Sequence, residues 1–271
     1  MTIQSHDTDH SVELEVLIST YGRDGIERTA TMSLPRMHGV RYIVSWQRPV
    51  GDVPLSLLRD DVVVVNSRTI GLSNNRNDAF DASSAQVVLI ADDDIEYTAD
   101  GLRGVIEAMS MHPEVDLATF RHDGADNKTF PDYEFDLRDI VKNYYVTSFE
   151  IAVRRHVFDG ECGVRFDTRF GIGAGWFEAG EEELFVHDVM SHGYCCRFFP
   201  HTVATHPGLT TFWRHLTPGA LRAQGAVIGV KHNAVSSLAR MPLVAWRHSR
   251  ARRYPFIPAL WYMLRGWVRG R

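Results

Sequence analysis

The chain has 271 residues, of which 44% are hydrophobic and 23% charged, and its formal net charge is -5. This composition excludes a disordered or fibrous protein and suits one large globular domain with an appendage, or two small domains. The net charge conceals an asymmetry, because all 34 acidic residues lie in 1–188, whereas 12 of the 29 Lys and Arg residues lie in 189–271. We therefore expect the two ends of the chain to meet different partners.

Strand and helix patterns alternate along the first half of the chain. The apolar, β-branched residues 12–19 predict a first strand, and a short helix is expected over 25–37, where Pro35 would end it. Strands are predicted at 40–46 and 61–66, and the uninterrupted valines of the latter indicate burial on both faces. The other expected elements are helices at 71–84, 98–111 and beyond Pro218, a helix pattern at 184–192, and strands at 86–91, 116–121, 146–154 and 196–200. This alternation predicts an α/β fold with a nucleotide-binding, mixed but mostly parallel sheet flanked by helices.

Cysteine usage and the N-terminus bear on the cellular compartment. The chain has an odd number of cysteines, Cys162, Cys195 and Cys196, with neither a CxxC motif nor a Cys/His zinc spacing. A reducing compartment is therefore expected. The first ten residues are polar and lack an apolar core, so no secretory leader is expected and the prediction is a cytoplasmic location.

Three consecutive carboxylates, Asp92, Asp93 and Asp94, follow the predicted strand at 86–91. They repel one another, and a divalent cation would offset that cost. A hard cation with oxygen ligands commonly accompanies a phosphate group. Ligands of such sheets bind beyond the carboxyl ends of the strands, so 20–21 and 66–68 are expected at the same crevice.

Taken alone, the acid triplet fits several chemistries. A phosphatase of the haloacid dehalogenase type would need Asp-x-Asp-x-Thr/Val, but Glu96 holds the fifth position. An EF-hand would need a central glycine that 92–103 does not supply. The alternative without a catalytic or binding function is an exposed acidic turn that caps the next helix.

Four motifs together resemble the family 2 glycosyltransferases of bacterial exopolysaccharide and capsule synthesis. They are Ile-Ser-Thr-Tyr at 18–21, Gly-Leu-Ser-Asn-Asn-Arg-Asn at 71–77, Ala-Asp-Asp-Asp at 91–94 and Gly-Glu-Glu-Glu-Leu-Phe at 180–185. The resemblance implies a GT-A fold and a nucleotide-diphosphate-sugar donor, with a UDP-sugar as the first expectation. It also implies that the acid triplet supplies an Asp-x-Asp motif, which holds Mg²⁺ or Mn²⁺ against the diphosphate.

The resemblance further implies roles for individual residues at the donor and the metal. Asp94 would be the direct metal ligand, Asp92 would contact the ribose or sugar and orient the metal site, and either role is open to Asp93. His206 would lie beside the metal or the diphosphate. The other implied donor contacts are Arg76 and Asn77 near the diphosphate or base, at the start of a helix that favours anions, and Thr20 and Tyr21 at the nucleobase. A surface role for Arg76 and simple packing for Tyr21 stay open as alternatives.

A glycine-rich, aromatic run at 170–180 precedes three glutamates. Its glycines permit close approach of the backbone to a ligand, and Trp176 can either stack on a sugar ring or fill the core. In the resembled enzymes the second acid of this motif is the general base that deprotonates the acceptor hydroxyl, which implies Glu182 here. Glu181 is the second candidate for the base, whereas Glu183 is assigned to the helix dipole. The resemblance implies a single inversion at the anomeric carbon.

Residues 240–271 contain no acid, and arginines alternate there with aromatic residues that include Trp246, Trp261 and Trp267. The apolar run at 256–264 is shorter than the ~20 residues of a membrane span. It suits a segment that lies in the headgroup region of an anionic leaflet. A self-association or partner surface is the second interpretation, and no motif supports a nucleic-acid partner.

The sequence thus predicts a GT-A glycosyltransferase domain at 10–215 and a helical, basic, membrane-associating extension at 216–271. The expected activity is metal-dependent transfer of a sugar to a hydroxyl of a lipid-linked glycan, at the inner face of the cell membrane. One alternative is a sugar nucleotidyltransferase, for which the segment at 20–25 is a poor glycine-rich loop. The other is a catalytically silent GT-A scaffold, which need not retain Asp94 and Glu182.

Overall fold

The computed structural model describes residues 12–124, 128–139, 141, 144–160, 163–206 and 216–270. Cys162, the N-terminal ten residues and the predicted domain limits at 10, 215 and 271 lie outside the described residues. The strands are β1 (Leu14–Tyr21), β2 (Val40–Gln47), β3 (Val62–Ser67), β4 (Val87–Asp92), β5 (Glu96–Tyr97), β6 (Leu117–Gly124), β7 (Phe135–Asp136), β8 (Ile151–Arg154) and β9 (Cys196–His206). The helices are α1 (Gly22–Thr31), α2 (Leu72–Ala82), α3 (Ala99–Met111), α4 (Arg155–Asp159), α5 (Glu181–Ser191), α6 (Pro218–Lys231), α7 (Ala234–Arg250) and α8 (Phe256–Gly270).

The strands form one mixed sheet in the order β3-β2-β1-β4-β8-β6-β9-β5, and β7 pairs with β9. The first four strands of this order are parallel, β8 is antiparallel to both of its neighbours, and β6 and β9 are parallel. Ser19 of β1 pairs with Asp92 of β4, so the carboxyl ends of these two strands lie side by side. The predicted α/β fold with helices on both faces of the sheet is confirmed.

The strand period of two residues divides the core into two layers. Val16 and Ile18 of β1 point into the layer that holds α1 and α3, whereas Leu17 points into the layer that holds α2 and α5. The prediction of two-sided burial is wrong for β3, where Val63 is 40% exposed. The reason is that β3 lies at the edge of the sheet and pairs only with β2.

Several predicted boundaries differ from the observed elements. The helix predicted over 25–37 is α1, which begins at Gly22 and ends at Thr31, because the backbone is already extended at Met32 (φ -61°, ψ 148°). The strand predicted over 146–154 is wrong in its first half, where residues 148–150 form a 3-10 turn capped by Thr147. β9 continues past residue 200 because its later residues pair with β5 and the end of β6.

The helical segment predicted beyond Pro218 is observed as α6, α7 and α8. Ala223 and Val227 of α6 pack against Phe170 and Phe177 of the glycine-rich loop and against Leu184 of α5. Helices α6 and α8 also contact each other closely along their length. Within the part of the chain that the structure describes, no helix is both long enough and apolar enough to cross a bilayer.

Candidate active site

Asp92, the last residue of β4, belongs to a buried ion-pair network. The guanidinium of Arg76 donates from Nη2 to Asp92 at 3.0 Å and from Nη1 to Glu181 at 3.1 Å. The other Asp92 oxygen accepts a hydrogen bond from the Ser148 hydroxyl at 3.0 Å. Arg76 thus joins the acid triplet to the first glutamate of α5, although these residues are far apart in sequence. The prediction placed Arg76 at a helix start facing an anionic ligand; instead, it lies in the second turn of α2, with its side chain 3% exposed and between two carboxylates.

Asp93 is held by the first strand and first helix. Thr20 donates its hydroxyl proton to Asp93 at 2.7 Å, and the guanidinium of Arg28 contacts both carboxylate oxygens at 3.0 to 3.1 Å. Burial raises the pKa of Asp93, although both partners favour its ionised form. Asp93 therefore fixes the end of β4 to β1 and α1. Tyr21, the next residue of β1, is exposed, and its hydroxyl accepts a hydrogen bond from Arg48 at 3.2 Å.

Asp94 is the most exposed carboxylate of the triplet, with 51% of its side chain accessible. Its Oδ2 lies 3.6 Å from Nε2 of His206, the last residue of β9. The His206 imidazole lowers the pKa of Asp94, so the carboxylate is ionised at neutral pH. The ring of Phe149 stacks on that of His206, with centroids 5.4 Å apart, and holds the imidazole in place. The structure therefore brings together Asp94 and His206, two of the three residues predicted to lie at a metal, whereas the third, Asp92, pairs with Arg76.

The three glutamates that begin α5 have three different environments. Glu181 is buried against Arg76, and its second oxygen has no hydrogen-bond partner among the described residues. Glu183 is exposed and pairs with Lys231 of α6 at 2.6 Å. No ion pair of the described residues includes Glu182. Burial, with a contribution from the charge of Glu181, raises the pKa of Glu182 well above its usual range.

Two predicted donor residues contact other parts of the protein. The Asn77 amide donates to the Phe166 carbonyl at 2.9 Å and accepts from the Phe166 N–H at 3.0 Å, so it fixes the loop before α5. The Trp176 ring packs against arginines of α6 and α8, and its carbonyl accepts a hydrogen bond from Arg222 at 2.9 Å. Asn77 and Trp176 therefore each hold a segment before α5 in place, and their contact with the donor stays a prediction.

A buried cluster that the sequence did not reveal supports the turn at residues 148–150. Glu150 accepts hydrogen bonds from Lys128 at 2.6 and 2.8 Å and lies 2.6 Å from Nδ1 of His122. The side chains of all three residues are at most 1% exposed. The cluster fixes this turn, whose first two residues, Ser148 and Phe149, contact Asp92 and His206. The Thr-x-x-Glu spacing at 147–150 is a capping-box signature, the one local signal that could have indicated this turn.

The residues at the end of β4 fit a divalent cation that is shared with a substrate. No group of three or more His, Cys, Asp or Glu side chains is arranged to hold a metal within the described ranges. Asp94 and His206 offer one accessible carboxylate and one imidazole. A hard cation takes six or more ligands, mostly oxygens, so the other ligands would have to come from a substrate diphosphate and water. A site with so few protein ligands suits Mg²⁺ or Mn²⁺, which can also bind water and substrate oxygens, better than a metal ion whose ligands all come from the protein.

Comparison with known proteins finds a family model that matches part of the chain. Residues 56–176 match the family model described as glycosyl transferase family 2. The match covers 121 of the 271 residues, so this part of the chain is similar to the family 2 glycosyltransferases. The matched residues contain the acid triplet and the glycine-rich loop up to Trp176, but end before Glu181. No curated protein matches the chain.

Solved structures share the fold at low sequence identity. S. aureus TarS 1-349 in complex with UDP-GlcNAc has a TM-score of 0.57 and 13% identity, over 88% of this chain and 73% of that one. The mannosyltransferase PcManGT from Pyrobaculum calidifontis, in complex with GDP-Man and Mn²⁺, has a TM-score of 0.56 and 13% identity, over 97% of this chain and 88% of that one. The chain spans 44% of the longer S. aureus TarS structure, which has a TM-score of 0.55 and 13% identity over 88% of this chain. At these identities the likeness shows the GT-A fold alone.

Proposed function

We propose that the protein transfers a sugar from a nucleotide-diphosphate sugar to an acceptor hydroxyl, with inversion at the anomeric carbon and with Mg²⁺ or Mn²⁺ as cofactor. The network that joins Asp92, Arg76 and Glu181 carries the proposal, because it brings the acid triplet and the glutamate motif to one edge of the sheet. The UDP-GlcNAc and GDP-Man bound by the two structural neighbours support a nucleotide-sugar donor. A UDP-sugar is our first expectation for this chain.

The donor diphosphate would bind beside Asp94 and His206. These residues would hold the cation, with Asp92 behind them, and the Mn²⁺ of the mannosyltransferase neighbour supports this choice of cofactor. Bound there, the cation would act as a Lewis acid that stabilises the departing nucleoside diphosphate. Thr20 and Tyr21 end the adjacent strand β1, which is where the nucleobase would lie.

Glu182 is the proposed general base. A base must accept the acceptor hydroxyl proton near neutral pH, and a raised carboxyl pKa favours that function. Glu181 is less suitable as the base, because its carboxylate forms an ion pair with Arg76. In this proposal Glu181 positions the start of α5, and Glu182 removes the proton as the hydroxyl attacks the anomeric carbon.

The proposed acceptor is a lipid-linked glycan in bacterial surface polysaccharide synthesis, reached at the inner face of the cell membrane. Exposed Trp246 and Trp261, together with arginines of α7 and α8, support association of the C-terminal helices with an anionic membrane surface. In this arrangement residues 10–215 would form the catalytic domain and residues 216–271 would form the membrane-associating extension. The two parts contact each other where α6 packs against the glycine-rich loop.

The test measures release of nucleoside diphosphate from UDP-, GDP- and dTDP-sugars by the full chain, with Mn²⁺ or EDTA and a detergent-solubilised lipid acceptor. Asp94→Asn should lose metal-dependent donor binding, whereas Glu182→Gln should bind the donor normally and lose transfer. Asp100→Asn is the matched control, because this carboxylate is 89% exposed and pairs only with neighbouring Arg103. Metal-dependent turnover of one donor would establish the transferase. The absence of both turnover and metal-dependent nucleotide binding would contradict it and favour a catalytically silent scaffold.

A further inference from the structure

A shallow cavity of about 420 Å³, widely open to solvent, lies between the glycine-rich loop and α8, and the acid triplet does not line it. One wall is basic and the other is apolar. The lining side chains are Trp176, Trp261, Leu264, Arg265, Val268 and Arg269. A site of this composition suits a ligand that has both an anionic and an apolar part.

The basic wall gathers positive charge around one indole ring. The guanidinium carbons of Arg269, Arg222 and Arg265 lie 4.4, 4.7 and 5.9 Å from the centroid of the Trp176 ring. None of the three arginines takes part in an ion pair with any residue that the structure describes. Arg265 and Arg269 lie one turn apart on α8, and no carboxylate of the described residues pairs with them, so an anion bound between them would be stabilised. Arginine pairs with phosphate through two parallel hydrogen bonds, so a phosphate fits this wall.

The apolar wall continues onto the surface of α8. Ile257, Trp261 and Val268 are exposed and lie on one helical face, at positions i, i+4 and i+11. Exposed apolar side chains next to a basic cavity are typical of a surface that lies in the headgroup region of a membrane. A free phosphate or a nucleotide would leave this face uncovered, whereas a lipid would cover it.

We propose that the cavity binds one anionic phospholipid from the bilayer. Its phosphate would lie between Arg265 and Arg269, and its hydrocarbon would contact Trp261, Leu264 and Val268. The inference rests on the membrane association in the proposed function, but not on sugar transfer. Trp176 belongs to the loop that leads into α5, so a bound lipid would contact the segment directly before the helix whose second residue is the candidate base Glu182.

The experiment titrates the full chain with dihexanoyl-phosphatidylglycerol below its micellar concentration, by calorimetry. Dihexanoyl-phosphatidylcholine and inorganic phosphate are titrated in parallel. The test variant is Arg265→Gln/Arg269→Gln, and the matched control is Arg36→Gln/Arg103→Gln, which removes the same charge from exposed positions outside the C-terminal helices. We expect one phosphatidylglycerol per chain, about tenfold weaker binding by the test variant and less than about twofold change in the control, since hydrogen bonds to a charged group contribute most at a specific site.

Three outcomes would overturn the inference. Equal losses in both double variants would show general electrostatic attraction. Inorganic phosphate binding as tightly as phosphatidylglycerol would show a simple anion site, and the absence of saturable binding would show that no lipid site exists. Donor binding and circular dichroism of the same variants separate these results from misfolding and from failure of the proposed sugar transfer.

Discussion

Arg76 offers the sharpest test of the network at the candidate active site. Arg76→Met keeps most of the side-chain volume but removes the positive charge between Asp92 and Glu181. Removing one partner of a buried pair costs about 3–5 kcal/mol. Glu181 is 8% exposed, so its carboxylate would stay buried without a charged partner and the full cost applies. Asp92 is 32% exposed, so water would partly solvate its charge. We therefore expect a loss of about 3 kcal/mol in the free energy of unfolding.

The assay is urea denaturation at pH 7, combined with calorimetric melting, where this loss corresponds to a decrease in Tm on the order of 10 °C. Arg36→Met is the matched control, because Arg36 and its partner Asp60 are both exposed, and such pairs contribute under about 1 kcal/mol. The double variant Arg76→Met/Glu181→Gln should recover part of the loss, since it removes the uncompensated buried charge. The reasoning is refuted if Arg76→Met is no less stable than Arg36→Met.

Two further predictions concern stability. Burial alone would raise the pKa of Glu15, but the backbone N–H groups of Ala85 and Ser84 and the Arg41 guanidinium hold it below its usual value. The ionised Glu15 therefore stabilises the fold above the unfolded-state pKa, and this stability is lost as the pH falls through the lower folded-state pKa. Glu15→Gln should destabilise the protein at pH 7, and its difference from wild type should shrink progressively in melts below about pH 4; a constant difference would contradict this. Gly225→Ala should lower Tm although alanine favours helices by about 1 kcal/mol, because its Cβ would overlap the Met263 carbonyl of α8; a higher Tm would show that α6 and α8 separate easily.

The order of the elements and the position of the acid triplet could be predicted from local sequence. Alternating apolar residues and a carboxylate run are properties of neighbouring residues, so β1 and β4 were found near their observed positions. The two-sided burial predicted for the valines at 61–66 failed, because whether a strand is central or at an edge depends on its partners in the sheet. Likewise, the turn at 148–150 is set by Lys128 and His122, which no local pattern connects to Glu150.

The same distinction between local sequence and distant contacts applies to the candidate active site. Local sequence is enough to identify the carboxylates that follow a buried strand and the glutamates that begin a helix after a glycine-rich loop, because charge, period and capping act over a few residues. Three contacts exist only in the folded chain: Arg76 pairs with both acidic motifs, Asp94 lies against His206, and the Trp176 ring packs against arginines of the C-terminal helices. These contacts join segments distant in the chain, and their energies depend on burial that exists only after the sheet and helices have packed.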